Sequence, residues 1–153
     1  LQKKVETANF FRRNAAVPTR NKNSMQELIY LYDEFLRVIS RHIRVPDFKD
    51  SDLIISSDEF RLIDVNEIEV LSKSVRRKYN LGIGPISNMT LLMERMGIRV
   101  IFSNDDISGI DALTKVVDGQ FYVIINTKGK SSVRIRFSLA HELGHVFLHS
   151  RYS

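Results

Sequence analysis

Cysteine is absent from this 153-residue chain. That excludes a disulfide framework and any thiolate metal site, so a transition metal held here must use His, Asp or Glu. A reducing cytoplasm suits such a chain. There is no apolar run of about 18 residues, so no membrane-spanning helix is expected. Leu1 to Ala16 lacks the apolar stretch of a secretory signal. Repeats and low-complexity tracts are missing as well. Charge of one sign is in short supply: 23 Lys and Arg against 18 Asp and Glu leave a net of +5, which favours acidic partners only modestly. What remains is 43% hydrophobic and 27% charged, the composition of a globular chain long enough to bury a core without staples.

A composition shift near Pro46 to Ser57 divides the chain into residues 1–56, helical or linking, and residues 57–153. In the first part a basic opening (Arg12, Arg13, Arg20, Lys22) precedes Ser24 to Arg44, where Leu28, Leu31, Tyr32, Phe35, Ile39 and Ile43 recur at helical spacing. Ser24 and Glu27 are spaced as a capping box that would start this helix. The second part predicts a helix over Asn66 to Tyr79 with Ile68, Leu71 and Val75 on one face. A short helix from Asn88 to Met96 follows, closed by Gly97, and then a strand over Ile98 to Phe102. Ile110 to Val117 and Phe121 to Asn126 flank Asp118-Gly119, a dipeptide suited to the positive φ angles of a tight hairpin. After a turn at Lys128-Gly129-Lys130, Ser131 or Ser132 would cap a last helix running to about His149.

That last helix contains His141-Glu142-Leu143-Gly144-His145, an H-E-x-x-H pattern. On a helix the two imidazoles share one face, so both can bind one Zn2+ at about 2.0–2.1 Å and leave positions for a third ligand and a water. A projection at about 100° per residue puts Arg134, Ser138, His141, Glu142, His145 and His149 in a wedge of about 100°. Val133, Ile135, Phe137, Leu139, Ala140, Leu143, Gly144, Val146 and Phe147 cover most of the rest, with Arg136 and Leu148 the exceptions. The expectation is a buried helix whose polar wedge lines a cleft, with Gly144 admitting a closely packed neighbour. The bland alternatives are histidines bonded to carbonyls or to each other, and a surface ion pair of Glu142 with Arg134 or Arg136. His149, about 12 Å along the axis from His141 at 1.5 Å per residue, reads as a partly buried histidine or a cation at the helix C-terminus. Metal-assisted hydrolysis follows from the residues: the ion polarises a carbonyl, and Glu142 takes a proton from the attacking water and later passes it to the leaving amine.

Arg136-Phe137-Ser138-Leu139-Ala140-His141-Glu142-Leu143-Gly144-His145 with Leu148-His149 resembles the signature of the ImmA/IrrE family of zinc-dependent metallopeptidases. Tyr79 to Ile86, Gly97 to Val100 and Asn9 to Arg13 are similar to stretches that precede it in that family. The resemblance implies a zincin-like α+β fold, a small sheet packed against the H-E-x-x-H helix with additional N-terminal helices. It makes His141 and His145 the Zn2+ ligands and Glu142 the base. It also implies a third ligand, a glutamate on a later helix. No acidic residue follows Glu142, and the upstream candidates Asp105, Asp106, Asp111 and Asp118 are not distinguished by spacing. The chain therefore reads as a piece of a longer protein, residues 57–153 being the first part of a peptidase domain.

By the same resemblance the protein is a cytoplasmic regulatory protease that cleaves or inactivates helix-turn-helix transcriptional repressors, with DNA contacted through an N-terminal helix-turn-helix domain beyond this sequence. The competing reading is a non-catalytic repressor-binding or DNA-associated regulatory module. Arg12-Arg13, Arg41 to Arg44, Arg76-Arg77-Lys78 and Lys128 to Arg136 supply its basic clusters.

Overall fold

The computed structural model describes residues 9–10, 19–55, 62–104 and 111–149, with side chains from Ser24 to Leu148 within those ranges. Arg12, Arg13, Asp105, Asp106 and the side chains of Arg20, Lys22 and His149 lie outside the described residues. In chain order the elements are β1 (Asn9–Phe10), α1 (Thr19–Ile39), a 3-10 turn (Ser51–Leu53), α2 (Val65–Lys78), α3 (Met89–Arg95), β2 (Arg99–Ser103), β3 (Ala112–Val117), β4 (Gln120–Asn126) and α4 (Ser132–His149). The architecture is α+β.

The four strands form one mixed sheet in the order β1-β3-β4-β2. β3 and β4 are an antiparallel hairpin, β2 runs parallel to β4, and β1 adds antiparallel to β3. The hairpin turn falls where the dipeptide predicts it, with Asp118 at φ 48° and Gly119 at φ 79°; both central residues in the left-handed region match the twist of the strands they join.

Strand alternation sends neighbouring residues to opposite faces. Val100, Phe121, Val123 and Ile125 face α3 and α4, where Met93, Leu139, Leu143, Val146 and Phe147 complete one buried cluster. Ile101, Leu113, Val117, Tyr122 and Ile124 face the other way and meet Met25 and Ile29 of α1. The sheet is thus covered on both sides.

Helix α1 begins five residues before the predicted start. Ser24 is an exposed residue inside it and not its N-cap, because the chain from Thr19 is already helical and a capping side chain is useful only where backbone N–H groups lack partners. The helix ends at Ile39, short of Arg44. Its core face is also rotated from the expected one. Met25 and Ile29 are fully buried with Leu28, Tyr32 and Leu36 packed beside them, whereas Leu31 and Phe35 are exposed, as is Ile43 beyond the helix end. The apolar arc is wider than the strip the sheet can cover.

The shorter elements follow their local signals. Asp64 accepts from the N–H of Asn66 at the start of α2, and Asn88 accepts from the N–H of Leu91 at 2.9 Å at the start of α3. Gly97, at φ 85°, closes α3, and a Cβ there would stand 2.2 Å from the carbonyl carbon of Asp47. The chain at 47–48 therefore crosses directly over this glycine, which is needed both for its backbone angle and for its missing side chain.

Candidate metal centre

Helix α4 starts where a serine predicts it: Ser131 Oγ accepts from the N–H of Arg134 at 3.3 Å. It lies across β3 and β4 and touches α3. Ser138, Leu139, Glu142, Leu143, Val146 and Phe147 are buried along its length.

The expectation of a helix buried nearly all round fails. Val133, Arg134, Arg136, Phe137, Ala140 and His141 are exposed. Apolar periodicity records which faces avoid water but not which neighbours the fold supplies, and no element among the described residues covers this side. Gly144 is likewise not at a close approach, since a Cβ built there meets nothing within 4 Å.

The two histidines converge. His141 Nε2 and His145 Nε2 are 3.1 Å apart, with the rings nearly perpendicular at 88° and their centroids 4.6 Å apart. Two ligands at about 2.0–2.1 Å from one tetrahedral ion stand about 3.3 Å from each other, so the observed separation fits a shared divalent cation closely. His141 is exposed and His145 half-buried, which leaves the pair open to solvent. One ligand atom from each of His141, Glu142 and His145 lies within 4.8 Å of the others, and this is the one such group of three among the described residues.

Glu142 sits on the sheet side of the pair and is only 6% exposed. Thr114 Oγ1 of β3 donates to its Oε2 at 2.6 Å. Burial pushes the Glu142 carboxyl above its ordinary pKa, and the Thr114 hydrogen bond pulls partly against that. The surface ion pair with Arg134 does not form: Arg134 is paired with Asp111, which Lys130 also approaches at 3.2 Å. Those two cations hold the Asp111 carboxyl below its usual range, the Arg134 hydrogen bond contributing most.

Of the upstream acids weighed as a third ligand, Asp111 is committed to this ion-pair cluster and Asp118 forms the hairpin turn; neither joins the histidine group. Thr114 is the site residue that sequence reasoning missed. Its signal was present in Ala112-Leu113-Thr114-Lys115-Val116-Val117, where Thr114 shares a face with Ala112 and Val116 toward the core. A hydroxyl on that face requires a polar partner.

Two of the basic clusters are partly engaged within the molecule. Arg76 donates to the carbonyls of Gly82 and Gly84, both at 2.9 Å, and Lys78 pairs with buried Asp50 at 2.7 Å and with Asp52 at 3.1 Å. No helix among the described residues is long and apolar enough to cross a membrane.

Residues 93–152 match the Peptidase_M78 family, described as the IrrE N-terminal-like domain. The matched segment runs from α3 through the sheet hairpin to the end of α4. Neither curated proteins nor solved structures give a match.

Proposed function

With residues 93–152 matching the IrrE N-terminal-like, M78 peptidase family, we propose that this chain carries the catalytic half-site of a zinc-dependent peptidase, with His141 and His145 as metal ligands and Glu142 as general base. The observation that carries this reading is the convergence of two Nε2 atoms 3.1 Å apart beside a buried carboxylate fixed by Thr114. Two imidazoles bonded only to each other would give no reason for an adjacent carboxylate to be buried and oriented.

His141 and His145 would hold a divalent ion, which would supply Lewis acidity toward the scissile carbonyl and lower the pKa of water. The protein's own part falls to Glu142. Its Oε2 stays with Thr114, so Oε1 is the atom that accepts a proton from the attacking water. As the water oxygen bonds to the carbonyl carbon and the C–N bond breaks, the same carboxyl returns that proton to the leaving amine. The Thr114 hydrogen bond to Oε2 orients the carboxyl so that the same Oε1 serves both transfers. A pair of imidazoles suits zinc among other divalent transition metals, and the choice of zinc rests on the resemblance to the ImmA/IrrE signature.

The regulatory role, with a helix-turn-helix repressor as substrate and the cytoplasm as its setting, rests on the resemblance of Arg136 to His149 to the ImmA/IrrE signature. The intramolecular pairing of Arg76, Lys78, Lys130 and Arg134 weighs against the DNA-associated module.

The test combines metal analysis with cleavage of a peptide library. Zinc binding is expected, and it is lost in His141→Ala and His145→Ala. Glu142→Gln should retain zinc while peptide cleavage disappears. Cleavage at the wild-type rate in Glu142→Gln removes the base from its role.

A further inference from the structure

On the side away from the sheet, α4 presents an apolar row that is open at Val133 and Phe137 and borders, at Ala140 and Gly144, a cavity shared with Ile68, Leu71 and Val75 of α2. Val133 is 74% and Phe137 62% exposed, Ala140 is exposed, and Gly144 has open space where a side chain would project. At about 100° per residue these four and His141 fall within one sector of about 100°. The apolar row is therefore continuous with the histidine pair. The Phe137 ring lies one turn before His141, inclined to it by 16° with centroids 6.4 Å apart.

We propose that Phe137 is a specificity-determining residue that selects an apolar side chain within two residues of the scissile bond. This rests on the peptidase reading given above. Glu142 and Thr114 close the sheet side of the histidines, so a peptide presenting its carbonyl must arrive from the solvent side, across this row. Ala140 and Gly144 have no bulk to hold a backbone away from His141. An extended peptide rises about 3.3 Å per residue, so side chains two residues apart on one face are about 6.6 Å apart, close to the 6.4 Å between the Phe137 and His141 rings. A side chain within two residues of the reacting carbonyl thus lands on the Phe137 ring, where an apolar group removes exposed hydrocarbon from water and a charged one loses hydration. Arg134, held by Asp111, bounds the row on its polar side.

The experiment uses zinc-loaded protein and two series of peptide hydroxamates that place Leu, Phe, Gly or Glu at the first or at the second residue from the chelating group. Binding is read by calorimetry and the matching substrates by kcat/KM. In one of the two series the Leu and Phe compounds should bind about tenfold or more tighter than the Gly and Glu compounds. Phe137→Ser should bring that ratio close to one at unchanged zinc content, acting through KM. Val70→Ser, an apolar-to-polar change at an exposed position of α2, should leave the ratio as it is. Equal affinities within both series in the wild type, or an unchanged ratio in Phe137→Ser, overturn the assignment while the peptidase reading stands. Absence of both zinc and hydroxamate binding defeats the peptidase reading and this inference with it. A dimer in sedimentation that Phe137→Ser dissociates assigns the row to a second copy of the chain and overturns it as well.

Discussion

A carboxylate buried to the extent of Glu142 is costly unless something donates to it, and among the described contacts that donor is a single hydroxyl, Thr114. Replacing Thr114 with Val keeps the shape and removes the donor. The Glu142 carboxyl should then rise further in pKa, the acidic limb of the kcat/KM profile should move to higher pH, and kcat/KM at neutral pH should fall about tenfold or more with metal content unchanged. The same burial links the site to stability. A folded-state pKa above the unfolded one means that the folded chain holds the proton longer. The stabilisation is complete below the ordinary carboxylate range and is lost as pH rises through the raised value. Gln at this position does not ionise. In metal-free protein, Glu142→Gln should therefore be more stable than the wild type near neutrality, the gap closing toward about pH 4, as thermal melts in chelator across that range will show. The His141, Glu142 and His145 constellation was legible in the sequence because its geometry is set within one helix. The Thr114 signal, a hydroxyl on an apolar face, does not by itself identify Glu142 as its partner, because 28 positions separate the two and only the sheet brings them together.

At the scale of elements, local signals were read correctly wherever the deciding contact was itself local. The Asp118-Gly119 turn and the Ser131 cap each depend on residues within three positions. The start of α1 was misplaced because the spacing of Ser24 and Glu27 suits a cap, yet nothing in those residues shows that the chain before them is already helical. The exposed side of α4 was misjudged for a related reason, since a projection has no knowledge of which neighbours exist. Gly97 combines both cases: its role in ending α3 is local, whereas the crossing of the chain at 47–48 over it is not. Ala at this position must adopt a left-handed backbone angle and also push into the carbonyl of Asp47. Strain of about 1–3 kcal/mol for the backbone and a similar amount for overpacking predict that Gly97→Ala is destabilised by about 3 kcal/mol or more. Equilibrium urea denaturation will measure this, and a loss below about 1 kcal/mol means that the crossing segment moves aside freely.

In the whole molecule, β3 joins the two layers. Its Thr114 reaches Glu142 of α4 on one face, and its next residue, Lys115, is buried on the other, donating to Tyr30 of α1 at 3.0 Å and lying 4.2 Å from the centroid of that ring. Tyr122 of β4 makes a second clamp by donating to Asp33 of α1. The metal site therefore stands on a sheet whose opposite face is sealed by α1, and loosening α1 removes support from the strand that positions the base. Ile29→Ala tests this without touching the site. Deleting a fully buried isoleucine side chain should cost about 2–5 kcal/mol and lower the melting temperature by about 10 °C. Zinc, binding only the folded form, should restore part of the loss in proportion to its concentration. Hydrogen exchange of the β3 amides should accelerate with the same free energy as global unfolding, because both faces of that strand belong to one cooperative unit. If Ile29→Ala melts like the wild type, or if β3 keeps its protection while α1 exchanges freely, α1 is an appendage and the sheet supports the site without it.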